Sequence, residues 1–366
     1  MLGMAGRIVL FGATGYTGEL TARALVQRGA RPVLAARSRE RVETLGAELG
    51  ELETAVADVA QPASVAALVE RGDVLVSTVG PFARWGKAAL QAAIDAGAHY
   101  IDCTGAPPFV RTVFKRYGRD ATTVGSGLLT AFGYDYVPGN LAGALALREA
   151  GERAVRVDIG YFVSAAAGGQ ASGGTRASAA GLLVEPGYGF RGGRLVAERP
   201  ARSVRDIDGR PTVSIGASEH FTLPRIHPQL QDVGVWLGWF GPASRPLQAI
   251  SATTALATKL PGVRAAIGAT AGMLVKGSTG GPDAAARGKV SSYITAIASD
   301  AAGSPLATVR LQGINPYDFT AALLAWGAIR AAEGGLLGTG ALGPVDGFGL
   351  DELERAVGDA GIGRTG

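Results

Sequence analysis

The chain has little of what several classes of protein require. Cys103 is its single cysteine, so no internal disulfide can form, which suits a reducing, cytoplasmic location. The three histidines are scattered and, together with one cysteine, supply no ligand cluster, so we predict no metal site. The 35 basic and 31 acidic residues are dispersed, without the Lys- and Arg-rich run that would indicate a nucleic-acid partner.

Long hydrophobic runs are also missing. The opening residues, MLGMAGRIV, lack the basic region and the apolar stretch of a signal peptide. The best candidate for a membrane span, residues 250–276, is interrupted by Lys259, Pro261 and Arg264, which favours buried or surface helices. We therefore expect no transmembrane segment.

The first 140 residues alternate short apolar runs with helical patterns. Predicted strands cover 7–11, 32–36, 53–57, 74–79, 99–103 and 122–126. Predicted helices lie near 17–28, 38–49, 62–70, 86–96 and 107–118. Regular alternation with short links is typical of parallel strands joined by right-handed crossovers, so we predict a doubly wound parallel sheet.

The pattern changes after about residue 150 and predicts a second, α+β domain. Residues 156–164 are typical of a strand, 172–183 of a capped helix, and 185–215 are rich in turns. Residues 288–313 alternate around a turn at 301–305, which predicts a β-hairpin. Helical patterns follow from Pro316 and over 349–361.

A glycine-spaced turn directly follows the first predicted strand and opens the first helix. Gly12 permits the tight turn, Gly15 leaves room for a diphosphate, and Gly18 lets the helix pack closely. The first helical N–H groups and the helix dipole would then face the phosphates. This is the dinucleotide-binding pattern of a Rossmann domain. Its predicted cofactor-binding residues are Gly12, Ala13, Thr14, Gly15, Tyr16, Thr17 and Gly18.

The end of the second strand indicates which dinucleotide binds. An NAD site usually has an acidic residue there, but this chain has Arg37, Ser38 and Arg39. A guanidinium matches the charge and geometry of a 2′-phosphate, which favours NADP(H); the alternative is solvated arginines at a helix start. Asp58 ends the third strand and either borders the adenine pocket or caps a helix.

The far edge of the cofactor site follows the fourth and fifth strands. Carboxyl ends of parallel strands meet at the ligand crevice, so we expect the cofactor wall there. The predicted residues are Val79, Gly80, Pro81, Phe82 and Thr104. Tyr134, Asp135 and Tyr136 precede an apolar helix and would open toward the same crevice.

Five segments of the chain, in order and spacing, resemble the saccharopine dehydrogenase-like reductases, including their trans-acting enoyl reductase branch. They are GATGYTGEL (12–20), VGPFARWG (79–86), HYIDCTG (99–105), GYDYVPGNL (133–141) and GINPYDFTA (313–321). The resemblance implies an NADP(H)-binding Rossmann domain, a mixed-sheet substrate domain and C-terminal helices that return to the first domain. We place these at 1–140, 141–318 and 319–366. It also implies reduction of a C=C or C=N bond.

Two positions depart from the family pattern. Ala106 and Asn140 stand where members commonly carry Glu and Asp, so no carboxylate role can be carried over to either position. The remaining acid–base candidates are Tyr134 and Asp135; alternatively, Asp135 caps the helix and the tyrosines are packing residues. His99 lies at a strand start and is interpreted as structural. Tyr136, Ser172 and Thr175 are candidate substrate contacts, although the last two also suit an ordinary helix cap.

We therefore predict an NADPH-dependent reductase of an activated C=C bond in an apolar small molecule or carrier-bound acyl chain of specialised metabolism. An imine (C=N) reductase and a non-catalytic NADP(H) sensor are the alternatives. A short-chain dehydrogenase needs Tyr-x-x-x-Lys, but no tyrosine here has lysine four residues on. A semialdehyde dehydrogenase pairs a nucleophilic cysteine with histidine, and Cys103 has no evident partner. We also expect a homodimer through the second domain.

Overall fold

The computed structural model describes residues 6–164, 187–257 and 280–365, which fall into two compact units. The described residues of Met1–Thr104, Phe109–Asp135 and Pro316–Ala356 form the first unit. Those of Gly105–Pro108, Tyr136–Asn315 and Val357–Gly366 form the second. The chain therefore enters each unit more than once.

The strands in the described residues are numbered in chain order. They are β1 (Ile8–Phe11), β2 (Val33–Ala36), β3 (Thr54–Val56), β4 (Val74–Ser77), β5 (His99–Asp102), β6 (Gly127–Leu129), β7 (Arg156–Val163), β8 (Gly187–Arg191), β9 (Arg194–Glu198), β10 (Val204–Ile207), β11 (Arg210–Ser214), β12 (Asp232–Leu237), β13 (Ser292–Ser299), β14 (Pro305–Gly313), β15 (Gly340–Ala341) and β16 (Ile362–Arg364).

The helices in the same residues are numbered likewise. They are α1 (Tyr16–Gln27), α2 (Arg39–Glu48), α3 (Pro62–Ala66), α4 (Phe82–Ala96), α5 (Pro107–Thr112), α6 (Gly118–Val124), α7 (Val137–Ala150), α8 (Glu219–Ile226), α9 (Ser244–Ala257), α10 (Ala284–Gly288), α11 (Pro316–Ala332), α12 (Pro344–Phe348) and α13 (Leu350–Asp359). A π-helical turn, Val113–Tyr117, joins α5 to α6.

The first unit is built on a parallel sheet with the order β15-β6-β5-β4-β1-β2-β3. Every residue of β1, β2 and β4 is buried, as expected for strands covered on both faces. Helix α11 packs against α1 and against β4 and β5, so the chain returns to this unit after passing through the second. The predicted doubly wound sheet is confirmed.

The second unit contains a mixed sheet with the order β10-β11-β12-β7-β13-β14-β16, and β8 pairs with β12 and β9. β12 and β7 are parallel, whereas β7, β13 and β14 are antiparallel neighbours. Helix α7 covers one face, where Ile159, Ile294 and Val309 are buried. The predicted strand at 156–164 and the hairpin at 288–313 are confirmed.

One detail of the predicted secondary structure is wrong. The strand expected at 122–126 is instead the end of α6, and the sixth strand is Gly127–Leu129. The β-branched run Thr122–Val124 favoured a strand, but Gly125, with φ of +79°, ends the helix just before the strand begins. The turn-rich segment 185–215 contains the strands β8 to β11.

Some predictions fall outside the described residues, namely the capped helix at 172–183 and most of the apolar segment at 250–276. Within the residues that the structure describes, no helix is both long and apolar enough to cross a membrane.

Candidate functional site

The glycine turn has the tight geometry that its spacing predicts. Gly12 has φ of +92°, and its N–H and that of Ala13 donate to the Ala35 carbonyl at 2.8 and 3.1 Å. A Cβ on Gly18 would lie 2.1 Å from the Gly12 carbonyl oxygen. Helix α1 can therefore approach the end of β1 only because position 18 has no side chain.

The N-terminus of α1 presents unbonded donors. Gly15 is the N-cap, with φ −82° and ψ 163°, and no side chain caps the helix. The backbone N–H groups of Thr17 and Gly18 find no acceptor among the described residues. Among the described residues, a Cβ on Gly15 would meet only the Gly12 carbonyl, at 3.2 Å. This combination of open approach and aligned N–H groups suits a diphosphate.

The three residues predicted to bind the 2′-phosphate have separate environments. Arg37 is exposed, and its guanidinium makes no hydrogen bond or ion pair with the described residues. Ser38 caps α2, where its hydroxyl accepts the Arg41 N–H at 3.4 Å. Arg39 pairs with Glu43 at 3.2 Å along the exposed face of α2. Of these three residues, Arg37 is therefore the one whose positive charge has no partner among the described residues.

Arg41 reaches the glycine turn, and sequence reasoning missed it. Its Nη2 donates to the Thr14 carbonyl at 2.9 Å. Both residues line a cavity of about 310 Å³ that Glu19, Glu40 and Glu48 also border. The sequence did carry one signal for Arg41. It is residue N3 of α2, and the N3 position lies close to the N-cap, which here closely follows the end of β2.

Asp58 does not cap a helix. Its Oδ1 accepts the Ala60 N–H at 2.9 Å within its own loop, and the N-cap of α3 is Gln61. The capping alternative is therefore wrong. Contact with adenine stays a prediction.

The end of β4 is linked to the glycine turn by one hydroxyl. Thr78 Oγ1 donates to the Gly12 carbonyl at 3.1 Å. Val79, Gly80 and Pro81 follow and are partly exposed, whereas Phe82 is buried at the start of α4 and packs on Phe109, with ring centroids 5.8 Å apart. The predicted cofactor wall thus lies beside the predicted diphosphate site.

The carboxylate of Asp102 organises the loops at the end of β5. It is fully buried and accepts the N–H groups of Thr104 and Ala131 at 2.8 and 3.0 Å and the Thr130 hydroxyl at 2.8 Å. Burial raises its pKa to about 6, against the effect of these hydrogen bonds. Thr104, a predicted cofactor contact, is itself fully buried.

Asp135 ends the same loop with a carboxyl group. It is partly buried, and its side chain makes no hydrogen bond or ion pair with the described residues. Desolvation raises its pKa to about 6. The N-cap of α7 is Tyr136, without a side-chain cap, so the capping alternative for Asp135 is wrong. An unpartnered carboxyl group that titrates near neutrality is a candidate proton donor.

The tyrosines beside Asp135 are buried. Tyr134 packs edge-on against Phe319, with centroids 6.3 Å apart. The Tyr136 hydroxyl donates to the Gly105 carbonyl at 3.1 Å. Both residues belong to the second unit, so the hydroxyl of this predicted substrate contact already has a structural partner there. His99 Nδ1 accepts the Gly127 N–H at 3.0 Å, which confirms a structural role. Ser172 and Thr175 lie outside the described residues.

Comparisons with known proteins find relatives for part of the chain. Residues 8–126 match the family described as the saccharopine dehydrogenase NADP binding domain. Trans-acting enoyl reductases from Mycobacterium ulcerans and Mycobacterium tuberculosis (strain ATCC 25618 / H37Rv) are 39% and 38% identical over 140 residues. Each match covers 37% of this chain and 34% of the relative, so the matched part spans about a third of those proteins.

The fold has a counterpart over nearly its whole length. The apo saccharopine dehydrogenase (L-Glu forming) of Saccharomyces cerevisiae superposes with a TM-score of 0.56 over 98% of this chain and 99% of that chain. The two sequences are 12% identical, so the likeness concerns the fold alone. It confirms the predicted combination of a Rossmann sheet and a second mixed sheet.

Proposed function

We propose that this chain, whose residues 8–126 form an NADP(H)-binding domain of the saccharopine dehydrogenase type, is an NADPH-dependent reductase. Its acceptor would be an activated C=C bond in an apolar small molecule or a carrier-bound acyl chain. Two observations support this proposal. Relatives that match 37% of the chain are named trans-acting enoyl reductases, and Asp135 is a carboxyl group without a partner among the described residues, in the same unit as the glycine turn.

The residues that would hold NADPH have complementary charge. The free N–H groups of Thr17 and Gly18 and the dipole of α1 suit the diphosphate. Arg37 supplies the uncommitted cation for the 2′-phosphate, with Ser38 and Arg41 beside it. A cofactor with a bare 2′-hydroxyl would leave the Arg37 charge without a partner.

NADPH supplies a hydride when it is bound, so the chain has to orient the acceptor, exclude water and deliver a proton. In an enoyl thioester the hydride adds to the β-carbon and the proton goes to the α-carbon. The segment Val79–Pro81 would form the wall beside the reacting groups. Asp135 would donate the proton from its carboxyl group and recover one from solvent after each turnover.

The raised pKa of Asp135 makes this role reasonable at neutral pH. A carboxyl group with a pKa of about 6 is protonated in roughly a tenth of the molecules at pH 7. A carboxyl group with a pKa of 3.8 would be protonated in only about one molecule in a thousand. Burial without a hydrogen-bond partner is what keeps the acid form available.

The experiment is NADPH oxidation by the purified chain with crotonyl and 2-octenoyl thioesters of N-acetylcysteamine, followed by mass spectrometry of the product. The saturated thioesters and NADH serve as matched controls. We expect NADPH-dependent formation of the saturated thioester, and loss of turnover in Asp135→Asn with NADPH affinity retained.

Two results would overturn the proposed reductase function, and a third would correct its mechanism. Oxidation of NADPH only when an aldehyde and an amine are supplied together would indicate an imine reductase. NADPH binding without oxidation in the presence of any probe would indicate a sensor. Full turnover by Asp135→Asn would remove this residue from the mechanism while leaving the reductase activity intact.

A further inference from the structure

The segment GINPYDFTA (313–321) is more than 170 residues from the end of the predicted cofactor domain, yet part of it lies beside the candidate site. Helix α11 begins at Pro316 within this segment. Tyr317 and Thr320 are three residues apart, so they project from the same face of its first turn. Each contacts a different part of the site, and both contacts lie within the first unit.

Tyr317 contacts the glycine turn. Its ring meets that of Tyr16 edge to face, with centroids 5.1 Å apart and an interplanar angle of 88°. Tyr16 is the first residue of α1 and directly follows the N-cap Gly15. The helix start therefore packs against the residue that opens the predicted diphosphate site.

Thr320 contacts the loop that carries Asp135. Its Oγ1 accepts the backbone N–H of Tyr134 at 3.0 Å, and both residues are buried. A Cβ on Gly133 would lie 2.9 Å from Thr320 Cγ2 and 3.1 Å from Oγ1. The loop backbone thus rests directly on Thr320, at the two residues before Asp135.

None of the residues that the structure describes holds the side chain of Asp135 by a hydrogen bond or ion pair. Its location therefore depends on the backbone that precedes it, which Asp102 holds at Thr130 and Ala131. Thr320 holds the other end of that stretch, at Tyr134. We infer that Thr320 is a positioning residue, which sets the place of the Asp135 carboxyl group through the Tyr134 amide. This inference rests on the proposed role of Asp135.

The first test compares three threonine variants in the full chain. Thr320→Val keeps the side-chain shape and removes the acceptor, Thr320→Ser keeps the acceptor, and Thr123→Val removes an exposed helical hydroxyl elsewhere in the first unit. With the 2-octenoyl thioester, we expect Thr320→Val to lower kcat about 10- to 100-fold, since small displacements of a reacting group have effects of that size. NADPH affinity should stay within about twofold, Thr320→Ser should restore most of kcat, and Thr123→Val should match the parent.

The second test needs no substrate. Amide hydrogen exchange read by NMR should show loss of protection at Tyr134 in Thr320→Val and in Gly133→Ala, whose added methyl group would push the loop off Thr320. Protection should return in Thr320→Ser and be unchanged in Thr123→Val. A folded Thr320→Val variant with unchanged exchange at Tyr134 would overturn the inference, whatever its activity.

The two proposals fail in different ways. If Asp135→Asn abolishes turnover but Thr320→Val changes neither kcat nor exchange, the positioning role is wrong and the proposed function stands. If Asp135→Asn turns over normally, the proton donor is wrong, and the role inferred for Thr320 falls with it even if the exchange at Tyr134 rises. If Thr320→Val weakens NADPH binding as much as it lowers kcat, Thr320 supports the fold and does not position Asp135.

Discussion

Asp102 holds Ala131 in a left-handed conformation. Ala131 has φ of +59°, and its N–H donates to Asp102 Oδ1 at 3.0 Å. Such a φ costs a non-glycine residue about 1–3 kcal/mol. It persists only where contacts with the surrounding structure hold the backbone in that conformation. The strained residue lies four positions before Asp135, so one buried carboxylate fixes the shape of the loop that ends in the candidate acid.

We predict that Asp102→Ala destabilises the first unit strongly. The change leaves two buried N–H groups and one hydroxyl without an acceptor, at about 1–3 kcal/mol each. Urea unfolding at pH 8 should therefore show a loss of about 3 kcal/mol or more. Asp102→Asn keeps one acceptor oxygen for the two N–H groups and should lose about half as much. Equal losses for the two variants would contradict this account of the loop.

Asp135→Asn should stabilise the protein at pH 7.5. Folding raises the pKa of Asp135 from 3.8 to about 6, so the native state binds the proton more tightly than the unfolded chain. The stability of the parent therefore falls as the pH rises from about 4 to 6, a difference of about 3 kcal/mol if the whole shift is expressed. After allowing for the unpaired amide, we expect a gain of about 1–2 kcal/mol at pH 7.5. Near pH 4 both side chains are largely neutral, so the gain should be lost and the variant should be less stable than the parent by the cost of the unpaired amide, about 1–2 kcal/mol.

The comparison is made by urea unfolding of both proteins across this pH range. A constant difference at every pH would mean that the Asp135 carboxyl group has an ordinary pKa. Lower stability of the variant at pH 7.5 would mean that the ionised form is stabilised by contacts.

The titration of Asp135 should also appear in the pH dependence of kcat. Because the acid form of Asp135 donates the proton, kcat with an enoyl thioester should be level below pH 6 and fall about tenfold per pH unit above it. Residual turnover by Asp135→Asn should lack this dependence. A rate that rises with pH between 6 and 8 would be incompatible with Asp135 as the acid.

Arg37→Ala should weaken NADPH binding by about 1–3 kcal/mol and leave NADH binding unchanged, as expected for the loss of a charged hydrogen bond to the 2′-phosphate. Arg28→Ala is the matched control and should bind NADPH like the parent, since Arg28 is also exposed and lies at the opposite end of α1 from the glycine turn. Calorimetric titration with both cofactors measures the effect. Equal losses for NADPH and NADH would show that Arg37 does not contact the 2′-phosphate.

Gly18→Ala should abolish tight NADPH binding. The new Cβ would lie 2.1 Å from the Gly12 carbonyl oxygen, so α1 must move away from the glycine turn. We expect at least a tenfold loss of affinity and a destabilisation of about 1–3 kcal/mol. Gly358→Ala places the same methyl group in α13, where nothing lies within 4 Å, and should be neutral or slightly stabilising. Retained affinity in Gly18→Ala would show that the close approach is unnecessary for binding.

Local patterns predicted the parts of the fold and site that local chemistry controls. The alternation of apolar runs gave the parallel sheet, and the spacing of Gly12, Gly15 and Gly18 located the turn at the start of α1. The strand expected at 122–126 failed because the β-branched residues favoured extension while Gly125 set the true boundary. Arg41 was missed because its contact with Thr14 depends on how α2 is rotated above the turn.

The sequence pattern could not predict contacts between residues that are far apart in the chain. Thr320 and Tyr134 are 186 residues apart, and no periodicity connects a helix start to a loop on another element. Asp135 was recognised as a candidate acid, but the choice between an acid and a helix cap required the geometry, in which Asp135 neither caps α7 nor pairs with any described residue. The raised pKa follows from burial, which neighbouring residues in the sequence do not determine.

The most direct test of the central claim is transfer of deuterium from NADPH labelled at both C4 positions to the 2-octenoyl thioester of N-acetylcysteamine. The account predicts a saturated thioester with one deuterium at the β-carbon, and much less of this product with Asp135→Asn. If the protein binds NADPH but the enoyl thioester is recovered unchanged after incubation, the claim that this chain reduces an activated C=C bond is contradicted.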